Sequence, residues 1–327
     1  MAFHGLALVT GAAGFMGSHV VERLAAEGVR VRATARPRQD LAFFENLGVE
    51  YLPADLTRPE TLPPLFEGVD RVFHLGAICN FSTPYHRLHP TNVAGVEHMT
   101  RLALEHGVRC FVHVTSTSVY GYYAGSPFTE EDPREPRDDY GRSKKAGEDV
   151  VLERIREGLP AIIVRPCTVY GPRCNDGAGK VFSRPTRIAA IPGSGRQRLA
   201  NVRAEDVAAA VLHLSGLESA LGRIYNIADD SNPTIEEALT LAARTFGTPP
   251  PKLRLPLPLI RATARVDGLI CSWRGRVPDL ECDAVKYLDN DYVVDNSRLK
   301  QTGFTFQYPD FRESMEQLGR RFNNRST

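Results

Sequence analysis

Tyr140 and Lys144 stand four residues apart in "DYGRSKKAGE", the spacing that places two side chains on one face of a helix. A phenol with an ordinary pKa of about 10 is a poor base at neutral pH, and a neighbouring ammonium favours its ionised form. That spacing alone also occurs often by chance, so its meaning comes from what accompanies it. The stretch "TSTSVYG", residues 115–121, offers hydroxyls directly after the apolar run "CFVHV". One of them either holds a substrate oxygen at the end of a buried strand, or the group simply begins a loop.

A second motif, "TGAAGFMG", follows the apolar run "LALV" and leads into "HVVERLAAEG". Gly11, Gly14 and Gly17, together with Phe15 and Met16, either make a plain tight turn or let backbone N–H groups close on a pyrophosphate at a helix N-terminus. The strand before and the helix after favour the second reading. A dinucleotide fold usually carries an acid about 20 residues further on, where it grips the ribose hydroxyls of NAD. None stands between Val29 and Gln39, and the second strand ends "ATARPR". Arg36 and Arg38 fit a 2′-phosphate, so the expected cofactor is NADP, with NAD as the alternative. Solvated surface arginines are the other reading of that pair. Asp55 and Leu56, after a third strand, either cap an adenine pocket or begin a turn.

These motifs need a frame that brings strand ends together. Apolar runs alternate with amphipathic stretches ("LALVT", "VRVRATA", "VEYLPA", "DRVFHLGA", "VEHMTRLALEHG", "RCFVHVTS", "AIIVRP"), the pattern of a parallel sheet covered on both faces. The expected fold is α/β: a Rossmann-type doubly wound parallel sheet with a smaller, discontinuous substrate-binding lobe. Residues 1–175 are expected to form the dinucleotide-binding domain, with 201–230 returning to it. Residues 176–200 and 231–327 are expected to form mainly the lobe, where the Pro-rich "TPPPKLRLPLPL" opens a separate, mostly helical tail.

Composition narrows the partners. Lys+Arg 40 against Asp+Glu 39 leaves a net charge of +1, which provides no basic field for nucleic acid or an anionic membrane. A small molecule is the expected partner. The six cysteines show neither a CxxC pair nor metal-ligand spacing and read as core or pocket fillers in a reducing compartment. "HRLH" supplies His86 and His89 without a third ligand, so no metal is expected. The apolar run near the N-terminus is four residues long, and "LPLPLI" is broken by prolines. The expectation is a soluble cytoplasmic protein with no integral membrane segment.

Taken jointly, "TGAAGFMG", "ADL", "FHLGA", "NVAG", "TSTSVYG", "YGRSK", "RPCTVYGP", "AEDVA", "YNIAD" and "DNSRLKQTGF" resemble the extended short-chain dehydrogenase/reductase family over nearly the whole chain. The resemblance implies a catalytic hydroxyl four residues before the Tyr of "VYG", which points to Ser116 with Thr117 as an outside candidate. It implies that Tyr140 exchanges a proton with the substrate while hydride moves to or from nicotinamide. Lys144 would then lower the phenol pKa and hold the nicotinamide ribose. Leu75, Gly76 and Ala77, and the segment from Pro166 to Val169, would flank the cofactor, and Asn92 would position a helix. A homodimer through the helices after Asn92 and Tyr140 is also implied.

Sugar-nucleotide epimerases and dehydratases of that family usually carry Asn where this chain has Thr168. They also usually have a diphosphate-gripping Arg where it has Leu199, with Arg198 and Arg203 out of register. The tail and the "RATARP" strand look instead like the branch with 3β-hydroxysteroid dehydrogenases and dihydroflavonol reductases. The expected activity is therefore NAD(P)-dependent interconversion of a secondary alcohol and a ketone on a hydrophobic, sterol-like or polycyclic substrate. Phe81, Tyr85, Thr117, Tyr122, Tyr123 and Thr168 are the candidate substrate residues. A nucleotide-sugar epimerase or dehydratase is the alternative, and a non-catalytic dinucleotide-sensing protein is a third reading that the intact Ser, Tyr and Lys set disfavours.

Overall fold

The computed structural model describes residues 5–36, 44, 46–123, 127–175, 177–186, 188–273 and 281–323. Its frame begins with β1 (Leu6–Thr10), α1 (Phe15–Ala26), β2 (Arg30–Thr34), β3 (Glu50–Tyr51) and β4 (Val69–His74). A short helix α2 (Tyr85–His89) runs through a π-turn (Pro90–Ala94) into α3 (Gly95–Glu105), followed by β5 (Cys110–Val114), α4 (Asp139–Arg156) and β6 (Ala161–Pro166). After β7 (Thr168–Tyr170), β8 (Ile191–Pro192) and β9 (Asn201–Arg203) come α5 (Ala204–Ser215) and β10 (Ile224–Ile227). The C-terminal part holds α6 (Ile235–Thr245), β11 (Arg254–Leu255), α7 (Leu257–Trp273), α8 (Cys282–Lys286), α9 (Ser297–Gln301) and α10 (Phe311–Asn323).

Seven strands form one sheet in the order β3-β2-β1-β4-β5-β6-β10, parallel at every pairing. The apolar runs are unbroken because both faces are buried. Ala7 and Val9 of β1 join the core under α1 and α5, whereas Leu6 and Leu8 join the core under α3 and α4. Ile162 and Val164 alternate in the same way with Ala161 and Ile163 in β6, as the pleat requires. The chain leaves β1 for β2 on one side and crosses to β4 on the other, so a crevice opens beyond the carboxyl ends of β1 and β4.

Two two-stranded pieces, β7 with β9 and β8 with β11, stand over that end of the sheet. There α6, opened by a capping box of Thr234 and Glu237, packs against α10. The C-terminal segment is less separate than its local pattern suggests. Tyr292, Val294, Leu299, Phe304 and Phe306 are buried in the core of the central sheet, and the Phe128 N–H donates to the Val293 carbonyl at 2.9 Å. Isolated aromatic residues in a loop-rich tail carry no periodicity that says where they bury. No helix among the described residues is long and apolar enough to cross a membrane.

Candidate active site

One cleft of about 1180 Å³ runs from the glycine loop between β1 and α1 to Tyr292. Backbone crowding shapes its glycine-loop end. Gly11 has φ +64°, and a Cβ there would lie 2.8 Å from Gly76 Cα; a Cβ at Gly17 would lie 2.1 Å from the Gly11 carbonyl oxygen. Such a loop admits only glycine and brings the start of α1 against the strand ends. No side chain caps that helix and no acid occupies its first turn, so its N–H donors remain available to an anion in the cleft. The Thr10 hydroxyl accepts from the N–H groups of Leu75 and Gly76 at 3.2 and 3.1 Å and pairs with His74 Nδ1 at 2.9 Å. Burial lowers the His74 pKa to about 3, so this ring is neutral; its Nε2 is buried without a partner among the described residues.

All the cofactor candidates line this cleft: Gly11, Gly14, Phe15, Met16 and Gly17, then Arg36, Asp55, Leu56, Leu75, Gly76 and Ala77, and finally Pro166 and Val169. Arg36 is exposed beyond the end of β2; Arg38 lies outside the described residues. Asp55 does turn-forming work as well, since its Oδ1 accepts from the Thr57 N–H and hydroxyl at 2.9 and 2.8 Å. Burial opposes its charge, yet those bonds and the nearby Arg36 hold its carboxyl below the ordinary range.

At the centre of the cleft, Ser116, Tyr140 and Lys144 come together. Asp138 caps α4 by accepting from the Gly141 N–H at 2.7 Å, which starts the helix so that Tyr140 and Lys144 face the strand ends. The four hydroxyls of "TSTS" take different roles. Thr115 donates to the Lys144 carbonyl at 3.5 Å. Ser116 accepts from the Ser118 N–H at 3.1 Å and hydrogen-bonds the Tyr140 phenol. Thr117 gives its carbonyl to the Tyr292 hydroxyl at 2.6 Å, and the Ser118 hydroxyl is buried without a partner among the described residues. Lys144 donates from Nζ to the Val114 carbonyl at 2.9 Å, and burial lowers its pKa to about 8. Burial likewise pushes the Tyr140 phenol well above its ordinary value, opposed by the Ser116 bond. Desolvation, rather than the lysine, dominates the phenol in this state.

Two networks hold α4 in place. Asn92 accepts from the Ile78 N–H at 2.8 Å and donates to the Ile78 carbonyl and to Ser143 Oγ, each at 3.0 Å, tying the loop after β4 to the helix. Behind the site, buried Arg165 of β6 pairs with Glu148 of α4 and donates to Tyr120 Oη at 2.7 Å, which donates in turn to Asn226 at 2.7 Å. Truncating one partner of such a buried pair typically costs about 3–5 kcal/mol.

Sequence reasoning missed several residues here. Cys79 donates to Tyr140 Oη at 3.4 Å. Phe81 lies between the rings of Tyr140 and Tyr287, with centroids 4.9 and 5.5 Å away, and the Tyr287 hydroxyl donates to Asp138 Oδ2 at 2.8 Å. Tyr287 and Tyr292 arrive from the C-terminal segment without any local motif. Of the substrate candidates, Phe81, Thr117 and Thr168 line the cleft. Tyr85, Tyr122 and Tyr123 do not. Tyr85 meets His89 edge to face, and the positive φ of Gly121 turns the chain so that Tyr122 and Tyr123 donate to the carbonyls of Arg137 and Pro133, both at 3.4 Å.

The wall contributed from residue 177 onwards is mostly apolar: Phe182, Leu199, Ile235, Leu239, Val285 and Leu288. Lys180 and Glu281 are its only charged members among the described residues. Arg203 is fully buried and turned away, held by Glu205 at 2.6 Å and by Ser314 at 3.2 Å.

Residues 7–228 match the model of the NAD dependent epimerase/dehydratase family. Among curated proteins, the chain is 36% identical over 170 residues to sterol demethylase protein B of Methylococcus capsulatus, a match covering 50% of this chain and 52% of that one. It is 31% identical over 269 residues to ceramide reductase of Caulobacter vibrioides, covering 81% and 78%. The UDP-glucose 4-epimerase of Thermotoga maritima, solved with UDP-glucose, superposes with a TM-score of 0.79 at 22% identity over 98% of this chain and 100% of that one; it shares the fold. The chain belongs to the NAD-dependent epimerase/dehydratase family.

Proposed function

We propose that this protein is an NAD(P)-dependent oxidoreductase that interconverts a secondary alcohol and a ketone on a hydrophobic, sterol-like or polycyclic substrate. The observation that carries this reading is the mostly apolar wall contributed from residue 177 onwards, in which Leu199 occupies the position that the family resemblance gives to a diphosphate-gripping Arg, while Arg203 is committed to the core. The sterol- and ceramide-related names among the relatives point the same way.

The glycine loop and the open start of α1 fit a dinucleotide pyrophosphate, and Lys144 would hold the nicotinamide ribose. The bound nicotinamide supplies or takes up hydride. Tyr140 moves the proton at the substrate oxygen, in the neutral form that burial favours when it donates to a ketone. Ser116 donates a hydrogen bond to that oxygen as charge develops there. Asn92 and the Arg165–Glu148 pair keep α4, and therefore both Tyr140 and Lys144, in register with β5. Residues 176–200 and 231–327 would form mainly the substrate-binding lobe, and a homodimer through α3 and α4 completes the proposal.

For the cofactor we favour NADP, on the absence of an acid between Val29 and Gln39 and the position of Arg36 at the cleft. Arg36→Ala is expected to weaken NADPH about tenfold, the loss of roughly 1.4 kcal/mol of phosphate contact, with little change for NADH. Fluorescence titration with both reduced cofactors is the check, and equal binding of the two by the wild type would remove the preference.

Lys180 supports a second reading, a nucleotide-sugar epimerase or dehydratase, because it offers one cation at the far wall. The two readings differ in redox balance: a dehydrogenase changes the oxidation state of the cofactor pool, and an epimerase returns hydride to the same substrate. UDP- and dTDP-sugars are expected neither to bind appreciably nor to react, whereas a 3-hydroxysteroid or comparable apolar alcohol yields stoichiometric reduced nicotinamide. Calorimetry plus cofactor absorbance tests this. Tight binding of one sugar nucleotide, with turnover and no net nicotinamide change, establishes the second reading instead.

A further inference from the structure

Large apolar side chains left in water are unusually concentrated on one element. Of the eight exposed large hydrophobic residues among the described ones, five lie on α7: Leu259 (50%), Val266 (57%), Leu269 (74%), Ile270 (44%) and Trp273 (87%). Their spacing places them within an arc of about 100° on a regular helix, while Ile260 and Ala264 on the other side are buried. A contiguous stripe of this kind marks a contact surface rather than scattered surface leucines.

Charge identifies the partner. The chain as a whole is nearly neutral, with a net charge of +1, but residues 252–273 carry Lys252, Arg254, Arg261 and Arg265 against the single acid Asp267, a local net charge of +3. Arg254 pairs with Glu236 and Arg261 with Asp289. Lys252 and Arg265 are exposed and make no ion pair among the described residues. A two-fold contact with a second copy would set this cationic segment against itself, whereas an anionic lipid surface complements both its charge and its apolar stripe. Trp273, the chain's one tryptophan, stands at the helix end with its ring in solvent, the position such a ring takes at a membrane interface.

We propose that α7 is an interfacial docking helix that seats the protein on anionic bilayers, its stripe among the acyl chains and Arg265 at the headgroups. The element is too short and polar to span the membrane; it lies in the plane. Its placement also links the surface to the cleft. α7 packs against α8, whose Ala284 and Val285 line the cleft, and β11, immediately before α7, pairs with β8, whose Pro192 lines it too. The docking itself is independent of the reaction proposed above, which only adds a reason for it.

The test uses the full chain with vesicles of phosphatidylcholine alone or mixed with phosphatidylglycerol. Co-sedimentation is expected with the mixed vesicles and to fall with added salt, and Trp273 emission is expected to shift to the blue on binding. The double variant Leu269→Gln, Ile270→Gln, with unchanged thermal unfolding, is expected to lose partitioning by about tenfold or more, and Arg265→Glu by at least about fivefold. Absence of binding to the mixed vesicles, or full binding by the double variant, overturns the proposal. So does an already blue-shifted Trp273 in vesicle-free buffer combined with a concentration-dependent size that the double variant abolishes, since the stripe then holds a second copy.

Discussion

Replacing Tyr140 by phenylalanine is expected to lower turnover by roughly 10²–10⁴, the usual worth of a positioned proton donor or base, while leaving the fold and cofactor affinity close to the wild type's. The change removes one oxygen. Its ring is 5% exposed, packed against Phe81, and keeps its shape in the variant. What disappears is the phenol that Ser116 and Cys79 contact. Steady-state kinetics beside cofactor titration distinguishes this from damage to the site. Near-wild-type turnover with an intact fold would take the proton away from Tyr140. Lys144→Ala should behave differently, lowering both rate and cofactor affinity, because its ammonium is proposed to serve the ribose as well as the phenol.

The largest expected effect on binding comes from the glycine loop. In Gly17→Ala the added methyl would sit 2.1 Å from the Gly11 carbonyl oxygen, 2.7 Å from its carbon and 2.9 Å from Ala12 Cα. All three are backbone atoms, so no rotamer relieves the overlap and the loop must move away from α1. The N–H groups proposed to hold the pyrophosphate move with it. Dinucleotide affinity is expected to drop by about 100-fold or more, roughly 2.7 kcal/mol, with the sheet retained. Equilibrium binding followed alongside circular dichroism checks it, and an affinity equal to the wild type's in the folded variant would show that the loop does not hold the cofactor.

Legibility in the sequence followed the range of the interactions involved. The glycine loop, the strand-terminal hydroxyls and the Tyr140–Lys144 pair are local patterns: each depends on residues within about one turn or one strand end, where spacing alone dictates geometry. The parallel sheet was equally readable, since burial on two faces demands apolar runs and β1 and β6 supply them. The substrate candidates fared differently. Phe81 and Thr168 reached the cleft, whereas Tyr122 and Tyr123 turned away beyond Gly121, whose positive φ reverses the chain in a way that no hydrophobic pattern announces.

By itself, then, the sequence determined the fold class, the glycine-loop end of the cleft and the spacing of the Ser116, Tyr140 and Lys144 side chains, because these rest on backbone sterics and helical periodicity. Only the tertiary structure decided what faces them. Tyr287 and Tyr292 come to Phe81 and Thr117 across more than half the chain, Arg203 is drawn inward by Glu205 and Ser314, and five apolar residues of α7 are left exposed among the described residues. Each of those outcomes depends on which surfaces of the folded chain pack against a group and desolvate it. That competition is settled by packing over the whole chain, and no window of neighbouring residues contains it.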